Sequence, residues 1–139
     1  MGNILDYRTI TFFDVETTHL DPTIGEIIQI AILTEDSQGN LKEWSTKIKP
    51  QLRAGTYSPK ALEINGYNEV DWDDAPIFSD IAHLIVDKLR WGPVVAHNAS
   101  FDMAFVESCL ERFTDWRKGG RTDMKERIFR LGYPVIDTV

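Results

Sequence analysis

The sequence predicts an α/β layered fold, a mixed sheet flanked by helices. Three observations carry that expectation. The first half holds three runs of β-branched and aromatic residues separated by turn residues. The second half holds two long stretches with apolar residues at helical spacing. Between those stretches lies a short apolar run, VVA at 94–96, placed as a strand between helical connections would be.

RTITFFDVE (8–16), rich in Thr, Ile and Phe, reads as the first strand. EIIQIAILTE (26–35) is a nearly continuous apolar run, which predicts a strand buried on both faces. SQGN (37–40) is a turn. LKEWSTKIK (41–49) alternates, with Trp44, Thr46 and Ile48 on one face, as an outer strand does. Together these form a three-strand antiparallel meander. SPKALEING (58–66) reads as a short helix, with Ser58 as N-cap, Pro59 at the first helical position and Gly66 closing it. PIFSDIAHLIVDKLRW (76–91) is an amphipathic helix whose apolar stripe is Ile77, Ile81, Leu84, Ile85 and Leu89, with Lys88 beside it. GPVVAHN (92–98) is a strand leading to a turn, and SFDMAFVESCLERF (100–113) a helix with the stripe Phe101, Phe105, Cys109, Phe113. Cys109 fits that stripe as a core thiol. Gly119 and Gly120 mark a break, a helix resumes near Asp123, and GYPVIDTV (132–139) is strand-like.

A chain of 139 residues with 42% apolar and 27% charged residues suits one folded domain. One cysteine excludes an intrachain disulfide and suits a reducing, cytoplasmic setting. No apolar run approaches the roughly 20 residues of a membrane span, and the N-terminus has no secretory pattern. Gly2 is followed by Asp6 where a myristoylation signal needs Ser or Thr. The net charge of −7 argues against a passive nucleic-acid coat, though not against an enzyme whose acidic site is neutralised by cations.

Asp14 and Glu16 are two apart on a strand and so share a face. Two carboxylates side by side repel, and one stays protonated unless a cation sits between them. Their oxygens are the hard donors that Mg²⁺ or Mn²⁺ accept; a water-facing pair on an edge is the alternative. Asp102, in the first turn of the 100–113 helix, is favoured there by the helix dipole alone. If residues 93–96 pair beside residues 9–14, however, Asp102 can reach the other two.

DVETT followed about 80 residues later by VVAHNASFD resembles the first two motifs of the DnaQ-like (DEDD) 3′–5′ exonucleases, in their proofreading-exonuclease and RNase T branch. ALEINGYNEV (61–70) and VIDTV (135–139) are similar to segments of that family, and the likeness runs from about residue 9 to the end. It implies a ribonuclease-H-like fold, Asp14, Glu16 and Asp102 as catalytic metal ligands, and two divalent ions, Mg²⁺ or Mn²⁺, for phosphodiester hydrolysis. It also implies substrate contacts. Thr17 and Thr18 would bind the terminal nucleotide or cap the strand end. Leu20 would lean on the terminal base or pack in the core. Asn98 and Phe101 match NxxFD, Asn98 ordering the turn or touching substrate and Phe101 chiefly packing; His97 is structural. His19 stands where the family usually has glycine, which alters the handling of the terminal base.

The family's third motif, an Asp with a His or Tyr a few residues before it on a later helix, is not found. His83 and Asp87 precede the second motif, and the amphipathic helix accounts for them. Tyr133 and Asp137 have Y-x-x-x-D spacing, but Pro134 argues against a helix, and Asp137 suits an N-cap. Residues 1–139 are therefore expected to be a single exonuclease-like domain, C-terminally incomplete and weakly active or inactive alone. The implied partners are single-stranded or 3′-end nucleic acid, DNA or RNA, and a polymerase or another replication or repair protein. The alternative is a non-catalytic nuclease-like module binding nucleic acid or a polymerase-like partner. Residues 111–130 carry seven Lys or Arg against four Asp or Glu. The stretch from Arg112 to Arg130, with Trp116, reads as a guide for a single strand or as an ordinary solvated face.

Overall fold

The computed structural model describes residues 9–90, 92–115 and 135–137, the last three as backbone. The expected meander forms from β1 (Thr9–Thr17), β2 (Ile27–Asp36) and β3 (Leu41–Lys47). Then come α1 (Pro59–Ile64), α2 (Glu69–Trp72), α3 (Phe78–Leu89), β4 (Val94–Ala96), α4 (Ala99–Phe113) and β5 (Val135–Asp137). The sheet has five strands in the order β3-β2-β1-β4-β5. β1 and β4 are parallel, with Thr11 opposite Val94 and Phe12 opposite Val95, and β5 runs parallel beside β4. The expected mixed α/β sheet is thus present.

Period-two alternation decides which side of β1 is core. Thr11, Phe13, Val15 and Thr17 are buried, while Phe12 and Asp14 are exposed and Glu16 is half-buried. Ile30 and Ile32 of β2 share the buried face, packed against Ile81, Ile85 and Val86 of α3 and Phe105, Val106 and Cys109 of α4. β2 corrects its expectation. It alternates, with Ile28, Ile30 and Ile32 nearly inaccessible but Gln29, Ala31 and Leu33 only half-buried. An apolar run states that both faces avoid water, not that a helix covers each.

α1 begins and ends as expected. The Ser58 hydroxyl accepts from the Ala61 N–H at 3.3 Å, and Gly66 takes a left-handed φ of +69° after the last turn. The α3 stripe is rotated from its expected position. Phe78, Ala82 and Val86 are buried with Ile81, Ile85 and Leu89, while Ile77 is the exposed N-cap and Leu84 is exposed. α2 was not foreseen. Its Trp72 is buried and donates Nε1–H to the Ile28 carbonyl at 2.8 Å. Gly92 lets β4 meet β1, because a Cβ there would stand 1.9 Å from the Thr9 carbonyl oxygen. No helix among the described residues is long and apolar enough to cross a membrane.

Candidate active site

The central strand carries the first two carboxylates to its C-terminal end. Asp14 lies opposite Ala31 and Glu16 opposite Gln29, both on the face away from α3 and α4. A register shift separates Glu16 from Thr17, so the chain bends immediately after the pair. The Glu16 carboxyl is held above its ordinary range, first by burial, then by the negative charge of Asp14 and a hydrogen bond from one carboxyl to the other. Repulsion between the two carboxylates is one of the causes, as expected for like charges on one strand face.

Parallel pairing of β1 with β4 sets the start of α4 beside that strand end. Asp102 sits in the first turn of α4, its N–H bonded to the Asn98 carbonyl at 3.0 Å, and is only 3% exposed. Burying a carboxylate this far is costly unless bonds or a counter-charge offset it. Among the described residues, no three His, Cys, Asp or Glu side chains are gathered so as to hold a metal ion. Asp14 and Glu16 interact directly, and Asp102 lies in the first turn of the helix that follows β4, the strand beside β1. The donor chemistry of the pair, hard oxygens under mutual repulsion, fits a divalent cation.

The remaining expected residues separate into two groups. Both threonine hydroxyls serve the fold. Thr17 Oγ1 donates to the His19 carbonyl at 2.8 Å; Thr18 Oγ1 donates to the Thr56 carbonyl and accepts from the Glu26 N–H. Strand-end capping, the plainer of the two expectations, describes what these hydroxyls do. Leu20, by contrast, is 80% exposed, which rules out core packing and leaves it presented to solvent, four residues after Glu16 in the chain. His97 and Asn98 are exposed in the turn before α4, and the Asn98 side chain makes no cap bond to that helix. Phe101 packs against the core with its ring centroid 4.9 Å from that of Phe105. Cys109 is fully buried, and burial pushes its thiol up to about 11, as suits a core thiol.

Several groups that shape this strand end were not singled out in the sequence. The Asn65 side chain donates to the Thr17 carbonyl at 2.8 Å, and the Ser58 N–H donates to the Thr18 carbonyl at 2.7 Å. The Asn-Gly pair closing α1 was the available signal. Arg112 corrects an expectation. Counted with the basic stretch, it instead bonds backbone carbonyls of the β1–β2 loop. Trp116 and the basic residues from Arg117 to Arg130, like Tyr133, lie outside the described residues. Asp137 ends β5, a strand rather than a helix start.

Cavities do not mark the carboxylates strongly. An open groove of about 190 Å³ beside Asp14 is lined by Phe12, Ala31, Leu33 and Glu43. A roomier cleft of about 400 Å³, by Glu26, Arg53 and Arg112, contains none of the three acids.

Comparison with known proteins shows the family and the fold. An exonuclease family model, RNase T, matches residues 11–119. DNA polymerase III subunit epsilon of Treponema pallidum (strain Nichols) is 32% identical over 105 residues, 76% of this chain and 47% of the relative. The PolC-type DNA polymerase III of Bacillus subtilis (strain 168) is 28% identical over 139 residues, 98% of this chain but 8% of that protein. The chain thus spans less than half the length of these relatives. E. coli Exonuclease I in complex with a dT13 oligonucleotide superposes with a TM-score of 0.65 at 19% identity, covering 82% of this chain and 26% of that one. That last likeness is one of fold.

Proposed function

The chain belongs to the RNase T exonuclease family, and from that premise we propose that it is a metal-dependent 3′–5′ exonuclease domain hydrolysing the terminal phosphodiester of a nucleic acid. The observation that carries this reading is the Asp14–Glu16 pair on the solvent face of the central strand, beside the start of the helix bearing Asp102. Asp14 and Glu16 would hold the divalent ion, with Asp102 as third ligand. When bound, Mg²⁺ or Mn²⁺ supplies positive charge that activates water and stabilises the leaving 3′ oxygen.

The chain's own groups do the positioning. β1, anchored between β2 and β4, fixes the two carboxylates on a rigid element rather than a loop. Asn65 and Ser58 hold the carbonyls just beyond them, so the strand end cannot drift. Exposed Leu20 offers an apolar surface for the terminal base, and Asn98 stands in the turn where a strand end would pass. The relatives are DNA polymerase III proteins, and Exonuclease I is known with a DNA oligonucleotide. Single-stranded DNA is therefore the proposed substrate class and a polymerase the proposed partner class.

Titration calorimetry with Mn²⁺ and release of 3′ nucleotides from an end-labelled oligonucleotide test the reading. Asp14→Ala is expected to abolish detectable Mn²⁺ binding, and with it whatever weak hydrolysis the unaltered chain shows, with thermal stability retained. Oligonucleotide binding without Mn²⁺ binding in the unaltered chain would instead assign a non-catalytic binding module.

A further inference from the structure

α4 and the loop between β1 and β2 are tied together by one side chain. Arg112, in the last turn of α4, donates Nε–H to Ser108 Oγ at 2.9 Å, Nη1–H to the Ile24 carbonyl at 3.2 Å and Nη2–H to the Pro22 carbonyl at 3.1 Å. Nη2 also bonds the Gly25 carbonyl, and the guanidinium lies 4.9 Å from the Phe113 ring centroid. Three consecutive-turn carbonyls thus converge on one planar fork. A lysine ammonium, lacking that fork, cannot reproduce the pattern.

The loop is otherwise organised from within. Asp21 accepts from the Thr23 N–H and hydroxyl, its carbonyl accepts from the Ile24 and Gly25 N–H groups, and its own N–H donates to His19 Nδ1. Gly25 lies so close to α4 that a Cβ there would stand 3.0 Å from the Phe105 ring and 2.8 Å from His19 Cβ. The loop is therefore internally bonded, seated on α4 at Gly25 and tied to it by Arg112. It leaves β1 after Thr17, one residue past Glu16, and displays Leu20, 80% exposed. The helix that receives the pin carries Asp102 at its other end, about 15 Å away along the axis.

We infer that Arg112 is a positioning residue for nucleic-acid binding: it sets the β1–β2 loop against α4 and so fixes where Leu20 meets the terminal nucleotide. The inference rests on the nuclease reading of the site. It assigns to Arg112 a role through backbone carbonyls, not through phosphate.

A double-mutant cycle on single-stranded oligonucleotide affinity, with Leu20→Ala and Arg112→Met, tests it. Arg112→Met is expected to raise Kd about tenfold with Mn²⁺ affinity within about twofold, and the double variant to bind no more weakly than Leu20→Ala alone. Amide hydrogen exchange at Ile24 and Gly25 should accelerate in Arg112→Met, and Arg112→Lys should fall between it and the unaltered chain. Additive losses, or unchanged exchange at those amides, overturn the role of Arg112 and leave the nuclease reading standing. If the unaltered chain binds neither Mn²⁺ nor the oligonucleotide, the nuclease reading fails and this role with it. Should Arg112→Met not fold, Arg112→Lys carries the same cycle with a smaller displacement.

Discussion

Phe12 and Phe13 are neighbours of identical chemistry on the same strand, yet they live on different sides of the protein. Phe13, 4% exposed, belongs to the cluster under α3 and α4; Phe12, 37% exposed, shares its side with Asp14 and Glu16. One face of β1 therefore packs the core and the other carries the acids. The pleat alone separates the two tasks, so carboxylates that would be ruinous in the core stand one residue from it.

The largest effect expected from this division is unequal loss on truncating the two rings. Phe13→Ala should cost about 3–5 kcal/mol in denaturant unfolding, and Phe12→Ala only about 1–2 kcal/mol. Equal losses would break the contrast. A smaller effect concerns pH. Because Glu16 binds its proton more tightly folded than unfolded, the metal-free chain loses stability as pH rises from the ordinary carboxylate range through the raised value. That contribution is fully present below the range. Glu16→Gln should flatten the slope and stabilise the metal-free chain at neutral pH, by less than Phe13→Ala costs; melting temperatures across pH in the presence of a chelator would show it. The smallest effect lies on the core side. Thr11 is inaccessible, and its hydroxyl has no hydrogen-bond partner among the described residues. Thr11→Val should be neutral or stabilising by up to about 1 kcal/mol, since it removes an unsatisfied polar group of nearly the same shape. A clear destabilisation in the same unfolding assay would mean the hydroxyl does more than fill space.

Much of this architecture could be read before any coordinates, for physical reasons that differ by element. The shared face of Asp14 and Glu16 follows from the strand period, and α1 from Ser58, Pro59 and Gly66, each of which acts locally. Adjacency of β4 to β1 was legible through the motifs surrounding both strands. What escaped was decided at a distance. Whether Ala31 and Leu33 are covered depends on which helices lie over β2, which an apolar run cannot state. Ile77 and Leu84 matched the helical period but lost the core to Phe78, Ala82 and Val86, because the helix starts one residue later than its first apolar side chain suggested. Arg112 looks in sequence like any solvated arginine. Its role lies in carbonyls some 87 to 90 positions earlier, and no local pattern reports those.

The register shift after Glu16 has a practical bearing on anyone resizing this strand. Upstream of it, odd-numbered residues face the helices; beyond it, Thr17 and Thr18 are both buried in succession. Lengthening β1 by one residue ahead of Asp14 would swap parity and drive an acid into the layer that Phe13 and Val15 occupy. Insertions here would have to come in pairs, whereas the Gly39 hairpin tip, with open space around it, could accommodate a tag or a fused peptide.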